Sequence, residues 1–274
     1  MPDGATVLAR LRAHWPEYVI EATGLGLFML SASLFGAALE HPASLFRAAW
    51  PAPMARRFFM GLAMAGTAAL IIYSPFGKRS GAHMNPAVTL TFWWLGRVHP
   101  GDAAWYMLAQ VVGGVAGVGL AVLFLGGILA DPHVNYVVTR PGVAGPWLAL
   151  VAEVAIAFLL MGTVLVIASR PHLNRFTGLA VAVLLTVYIT FEAPLSGMSL
   201  NPARSLASAV AARAWTALWI YFVAPVTGMI AAAAVYGRWP GAHQVLCAKL
   251  HHDNHQRCIF RCGYPTAGRH VTHA

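Results

Sequence analysis

The sequence predicts an all-α integral membrane protein built as an inverted repeat, with six transmembrane helices plus two re-entrant half-helices. Three observations carry this. The 274 residues are 58% hydrophobic and only 10% charged, with a mean hydropathy of +0.64; an average soluble chain is about 25% charged. Long apolar runs recur from end to end. A polar, helix-disrupting phrase also occurs twice, as SGAHMNPAVTL at Ser80–Leu90 and SGMSLNPARSL at Ser196–Leu206.

The runs are Ala22–Leu39, Phe58–Gly77, Ala103–Ala130, Gly142–Ser169, Phe176–Phe191 and Ala214–Gly237, and only Glu153 charges the fourth. A bilayer core takes about 20 helical residues, so each run is a candidate span, the fifth at the short end. The first is read as a span rather than a cleaved leader. It continues past the small residues Ser31-Ala32-Ser33 and has Glu21 at its head. The predicted organisation is an N-terminal segment 1–15, a membrane domain 16–240 and a basic Cys/His-rich tail 241–274.

The net charge of +9 does not point to nucleic acid, because the basic residues fall between the spans. With both termini in the cytoplasm, 12 Lys and Arg lie inside and 5 outside, Arg204 set aside. That is the positive-inside asymmetry of a multi-pass protein of a plasma or bacterial inner membrane.

The polar interruption Asp131–Pro146 divides the spans three and three, giving halves of about 16–130 and 141–240. Each half opens with a carboxylate, Glu21 or Glu153, and carries one phrase after its second span. Three is odd, so the second half enters the membrane from the opposite face, and its functional groups meet the first half's near the midplane. Asn is a favoured N-cap and Pro a favoured first helical residue. Helices are therefore expected over Asn85–Leu95 and Asn201–Ala211, each about 16 Å long at ~1.5 Å per residue. Each reaches only the middle of a ~30 Å core. Two helix N-termini and two Asn amides then face one point, an arrangement that repels cations and orients an oxygen as acceptor. Pores of the aquaporin type are a known example of this exclusion.

The doubled Asn-Pro-Ala boxes, Asn85-Pro86-Ala87 and Asn201-Pro202-Ala203 with Arg204 following, resemble the aquaporin (major intrinsic protein) family. The resemblance runs from about Glu17 to Trp239 and includes "EATG", "AEVA", "AQVVGG" and "WIYFVAP". It implies a passive channel for water and small uncharged solutes, a homotetramer with one pore per chain, and neither enzymatic activity nor a cofactor. The spans offer no nucleophile–base pair or metal cluster that would favour an enzyme. The rival readings are a strictly water-selective pore and a proton-coupled transporter using Glu21 or Glu153.

On the family pattern, placed without gaps, the selectivity constriction falls on Ala65, Ile189, Met198 and Arg204. Strict water pores place an aromatic and a His where Ala65 and Ile189 stand, so a wider, more apolar ring for glycerol, urea or a metalloid acid is expected. Ser205, Ala209 and Tyr221–Phe222 look like the water-type branch, and the mixture resembles the nodulin-type branch. His83 resembles a pore-lining His. Glu21 and Glu153 are expected to accept N–H groups from the irregular backbone before each half-helix. The glycines Gly24, Gly66, Gly113, Gly117, Gly178 and Gly228 read as close helix crossings. Trp93, Trp94, Trp105, Trp147, Trp215 and Trp219 read as interfacial anchors. The tail is expected to be disordered, with Cys247, Cys258 and Cys262 as the alternative ligands for a soft metal or trivalent metalloid.

Overall fold

Proline sets half of the helix starts. Pro53, Pro75, Pro86, Pro100, Pro146 and Pro202 each occupy the first turn of a helix, where the missing N–H costs nothing. A computed structural model describes residues 6–253 and 255–264. Its helices are α1 (Val7–Glu40), α2 (Leu45–Ala49), α3 (Pro53–Tyr73), α4 (Pro75–Ser80), α5 (Pro86–Trp94), α6 (Pro100–Leu125), α7 (Gly127–Ala130), α8 (Pro146–Ala168), α9 (Thr177–Phe191), α10 (Ala193–Ser196), α11 (Pro202–Ala212) and α12 (Ile220–Arg238). Among the described residues there is no strand.

Six helices are long and apolar enough to cross a bilayer: α1, α3, α6, α8, α9 with its leading turn, and α12. Leu70, Leu123, Phe124 and Phe191 keep most of their surface exposed, as a lipid-facing wall does. Trp93, Trp94, Trp147, Trp215 and Trp219 are exposed near span ends. Trp105 instead stacks on Tyr18 with ring centroids 6.2 Å apart. Within the expected N-terminal segment 1–15, α1 is already helical from Val7 and continues into the first span. Asp102 holds this extension to α6 by accepting from Arg10 Nη1 at 2.9 Å and Tyr18 Oη at 2.7 Å, with His14 Nδ1 at 2.7 Å.

The two halves repeat the same packing. α1 lies on α6, α8 lies on α12, and α3 meets α9 across the halves. Small residues make these approaches possible. A Cβ on Gly113 would collide with the Ala22 carbonyl, one on Gly117 with the Gly26 carbonyl, and one on Gly228 with the Val154 carbonyl. Gly24 abuts Met84 and Gly178 abuts Tyr73, whereas Gly66 faces open space and makes no crossing. Because backbone rather than a flexible side chain stands in the way, Gly113→Leu has no rotamer that relieves the clash. We expect it to lower stability by at least the ~1–3 kcal/mol typical of overpacking, read as a lower melting temperature in detergent; Gly66→Ala should leave it unchanged.

Candidate functional site

Each repeated phrase folds as a short helix, a turn and a half-helix. In the first, α4 ends at Gly81 (φ 97°), and Ala82 and Met84 also take positive φ, at 54° and 48°. In the second, α10 ends at Gly197 (φ 83°), followed by Met198 and Leu200 at 48° and 59°. Left-handed backbone costs a non-glycine residue roughly 1–2 kcal/mol. It also leaves amides that no helix can satisfy.

Glu21 and Glu153 accept those amides. Glu21 takes Ser80 Oγ at 2.8 Å, His83 N at 3.0 Å, Met84 N at 2.6 Å and Gln110 Nε2 at 2.8 Å. Glu153 takes Ser196 Oγ at 2.8 Å, Ser199 N at 2.6 Å and Leu200 N at 2.8 Å. The serine of each Ser-Gly pair also accepts from the chain two residues on, Ala82 N at 3.1 Å or Met198 N at 3.0 Å. Tyr106 and Tyr221 donate to the Ser80 and Ser196 carbonyls at 2.7 and 2.5 Å. Sequence reasoning missed the serine and tyrosine roles, although the Ser-Gly repeat was visible.

Asn85 and Asn201 cap α5 and α11. Asn85 Oδ1 accepts from Ala87 N at 2.8 Å, and Asn201 Oδ1 from Ala203 N at 3.0 Å and Arg204 N at 3.2 Å. The amide nitrogens cross between the halves. Asn85 Nδ2 donates to the Leu200 carbonyl and Asn201 Nδ2 to the Met84 carbonyl, both at 2.7 Å. Each –NH₂ has two hydrogens, so one per Asn is left for the cavity of about 90 Å³ that both residues line. α5 and α11 have 9 and 11 residues, about 13 and 16 Å of helix, so both stop at mid-depth.

On the far side of the asparagines a second cavity of about 230 Å³ is lined by Met60, Met64, Leu185, Ile189, Met198 and Arg204, among others. Three of the four expected constriction residues are here. Ala65, the next residue of α3 after Met64, is not among the residues that line this cavity. The lining stripe of α3 runs Met60, Met64, Ala68, Ile72, at helical spacing. The helix breaks at Ser74 before α4 begins, so residue-by-residue counting back from Asn85 does not preserve the face. At 3.6 residues per turn an error of one rotates the side chain by 100°. Met64, one residue before Ala65, lines the cavity. Arg204 Nη1 is buried with no hydrogen-bond partner among the described residues, a donor left over in the cavity wall.

The near side, where α1 begins, is covered by the described part of the tail. His83 Nε2 meets the Ala248 carbonyl at 2.7 Å and its Nδ1 meets Thr89 Oγ1 at 3.0 Å. A carbonyl only accepts, so Nε2 carries a hydrogen. The imidazole is stacked between Phe92 and Phe260, at 5.3 and 5.4 Å. Leu250 lines the smaller cavity and donates its N–H to the Gly81 carbonyl at 3.1 Å. The expectation of a disordered tail therefore differs from the structure over residues 241–253 and 255–264, where Cys247, Ala248, Leu250 and Phe260 join the main apolar core. Composition made the tail look solvated, but its few apolar residues are spaced to enter one vestibule. Residues 265–274 of the expected tail lie outside the described residues. Lys249 is fully buried and donates to the Arg257 carbonyl at 2.7 Å; burial lowers its pKa, opposed by the nearby cysteine thiols.

Two capped half-helices meeting inside six spans define the class: the chain belongs to the Major intrinsic protein family, whose sequence profile matches residues 9–236. Among relatives, the "Probable aquaporin NIP-type" of Nicotiana alata is 35% identical over 173 residues, 62% of this chain and 62% of that protein. "Aquaporin NIP1-4" of Oryza sativa subsp. japonica is 37% identical over 180 residues, 65% of this chain and 64% of its own. These matches span less than two thirds of the relatives' length. The X-ray structure of the aquaglyceroporin from Plasmodium falciparum superposes with a TM-score of 0.68 at 19% identity, covering 82% of this chain and 96% of that one, and is alike in fold.

Removing a carboxylate tests the loop geometry. Glu153→Ala strands two amides and a hydroxyl, and each buried unmet donor costs about 1–3 kcal/mol. We expect a large fall in melting temperature, with Glu153→Gln losing less because its carbonyl oxygen still accepts.

Proposed function

We propose that this protein is a passive transmembrane channel for water and small uncharged solutes that excludes protons and cations. The observation that carries it is the pair of Asn amides at the tips of two half-helices, each holding one N–H toward a shared lumen. An oxygen that accepts from both turns its own hydrogens away from its neighbours, which interrupts a proton wire. The two positive helix ends, each about half a charge, repel cations. Arg204 adds a fixed positive donor on the far side. The names of the relatives support the same reading.

The solute class follows from Met64, Ile189, Met198 and Arg204. One guanidinium donor opposite flexible thioethers suits a small uncharged solute that offers an acceptor oxygen, the hydroxyls of glycerol and of an undissociated metalloid acid or the carbonyl of urea. Met64 makes the ring narrower than the alanine expected from sequence. A proton-coupled transporter is disfavoured because every oxygen of Glu21 and Glu153 is engaged in holding backbone or side-chain donors. The reading extends to a homotetramer with one pore per chain, as the family resemblance implies. Both termini face the cytoplasm, supported by the excess of Lys and Arg on the terminal side. Enzymatic activity and a cofactor form no part of it.

Stopped-flow light scattering on proteoliposomes tests this. Water and glycerol flux should exceed that of empty liposomes, scale linearly with the gradient and ignore a protonophore; uphill solute accumulation driven by a pH gradient would overturn it. Met64→Ala should raise glycerol permeability several-fold relative to water. Ala65→Phe, changing a residue off the lumen, should not move that ratio in the way a constriction residue does.

A further inference from the structure

The tail holds a feature that the channel does not use. Cys247, His252, Cys258 and Cys262 bring three thiols and one imidazole together, with all four ligand atoms within 4.8 Å of one another. Cys247 Sγ lies 3.6 Å from Cys258 Sγ, and Cys262 Sγ lies 3.8 Å from His252 Nδ1. A disulfide needs about 2.05 Å between sulfurs, so the first pair is not bonded. A zinc ion with thiolates at ~2.3 Å has a tetrahedral edge of about 3.8 Å. These two edges are close to that length, and the other four are no longer than 4.8 Å.

We propose that these four residues bind a zinc ion, and that the metal folds the tail into a plug over the cytoplasmic mouth. The plug function rests on the channel reading above; the metal site does not.

Three features of the segment support a built site. Its ligands arrive with spacings of four, five and three intervening residues, from a stretch whose described residues form no helix or strand, so a small irregular fold has a staple at its centre. A zinc with three thiolates and a neutral imidazole carries one net negative charge. Lys249, fully buried between the first two ligands, with Nζ held by the Arg257 carbonyl next to the third ligand, is the basic side chain placed beside that charge. The His252 ring is stacked on Tyr264 at 4.1 Å, and its backbone N–H is fixed by Asn174 Oδ1 at 2.9 Å, so its ligand nitrogen is pre-oriented. A trivalent metalloid would use the three thiols and leave the imidazole without a role.

The staple is placed where it can act on flow. Between the first two ligands, Ala248 caps His83 and Leu250 enters the cavity. Between the last two, Phe260 covers the His83 ring. Around the rim the tail is tied to elements of both halves. Arg261 N donates to the Arg97 carbonyl at 3.0 Å, Lys78 Nζ approaches Asp253 at 3.5 Å, and Tyr264 Oη reaches the Ala168 carbonyl at 3.2 Å. Removing the metal frees the loop that carries Ala248, Leu250 and Phe260. Thiolate ligation links this closure to zinc supply and to the redox state of the cytoplasm.

The test uses the full-length protein in liposomes, with zinc quantified by mass spectrometry and water flux by stopped-flow. We expect one zinc per chain, lost in the Cys258→Ser/Cys262→Ser double variant. Cobalt substitution should give the thiolate charge-transfer and intense visible bands of a tetrahedral site. Chelation should raise wild-type water flux several-fold, while the double variant is fast and insensitive to chelator. Phe260→Ala keeps the ligands, so it should bind zinc yet conduct faster. Zinc well below one per chain after incubation with zinc, equal zinc in the double variant, or arsenite bound without competition from zinc would each overturn the site. Bound zinc with flux unchanged by chelation would overturn the plug. Zinc binding with flux at the lipid background in every variant would support the site and overturn the channel reading instead.

Discussion

A backbone that leaves the helix inside hydrocarbon must find acceptors for its amides within the protein, and in this chain Glu21 and Glu153 are those acceptors. Everything at the centre depends on them. Without a carboxylate behind each turn, the positive-φ residues Ala82, Met84, Met198 and Leu200 would have no reason to hold their conformations. The half-helices would not be aimed at one another, and the two amides would not meet. A neutral side chain accepts fewer bonds, and an anion accepts stronger ones, which explains a charged residue at zero exposure in each half.

The two halves are equivalent in this core and differ around it. Gln110, four residues after Tyr106, donates to Glu21 and to Thr89. Its counterpart four residues after Tyr221 is Pro225, which has no donor to offer. His83, bonded to Thr89, faces the tail, whereas the counterparts of this pair, Ser199 and Ser205, are joined at 2.6 Å and Ser205 meets Thr139 Oγ1 from the opposite loop at 2.7 Å. The near mouth is thus lined by an imidazole and rings and closed by a separate segment; the far cavity is open toward Arg204. Direction is written into the departures from symmetry.

Much of this was legible in the sequence because it rests on local chemistry. Asn followed by Pro starts a helix whatever surrounds it, so Asn85 and Asn201 were read as caps and the half-helix ends were near those observed. Repetition supplied the pairing of Glu21 with Glu153. The misplaced constriction residue has a different origin. Ala65 and Met64 are consecutive residues of one helix, so their side chains differ in direction by about 100°, and the Ser74 break between them and Asn85 is a backbone event that no count across it preserves. The tail was misread because its order is not local. Ala248, Leu250 and Phe260 are three residues in a polar stretch, and their burial depends on a vestibule assembled by distant loops.

The crossed amide bonds also constrain how the chain is made. Asn85 donates to Leu200, and Asn201 to Met84, so neither half contains its own acceptor. During synthesis the first half emerges with its half-helix capped but its side-chain amide without the carbonyl it will finally use. More than a hundred residues must follow before that carbonyl exists. The two half-helices are therefore held together by bonds that neither half can make alone, and the centre of the fold is complete only when both halves are in place.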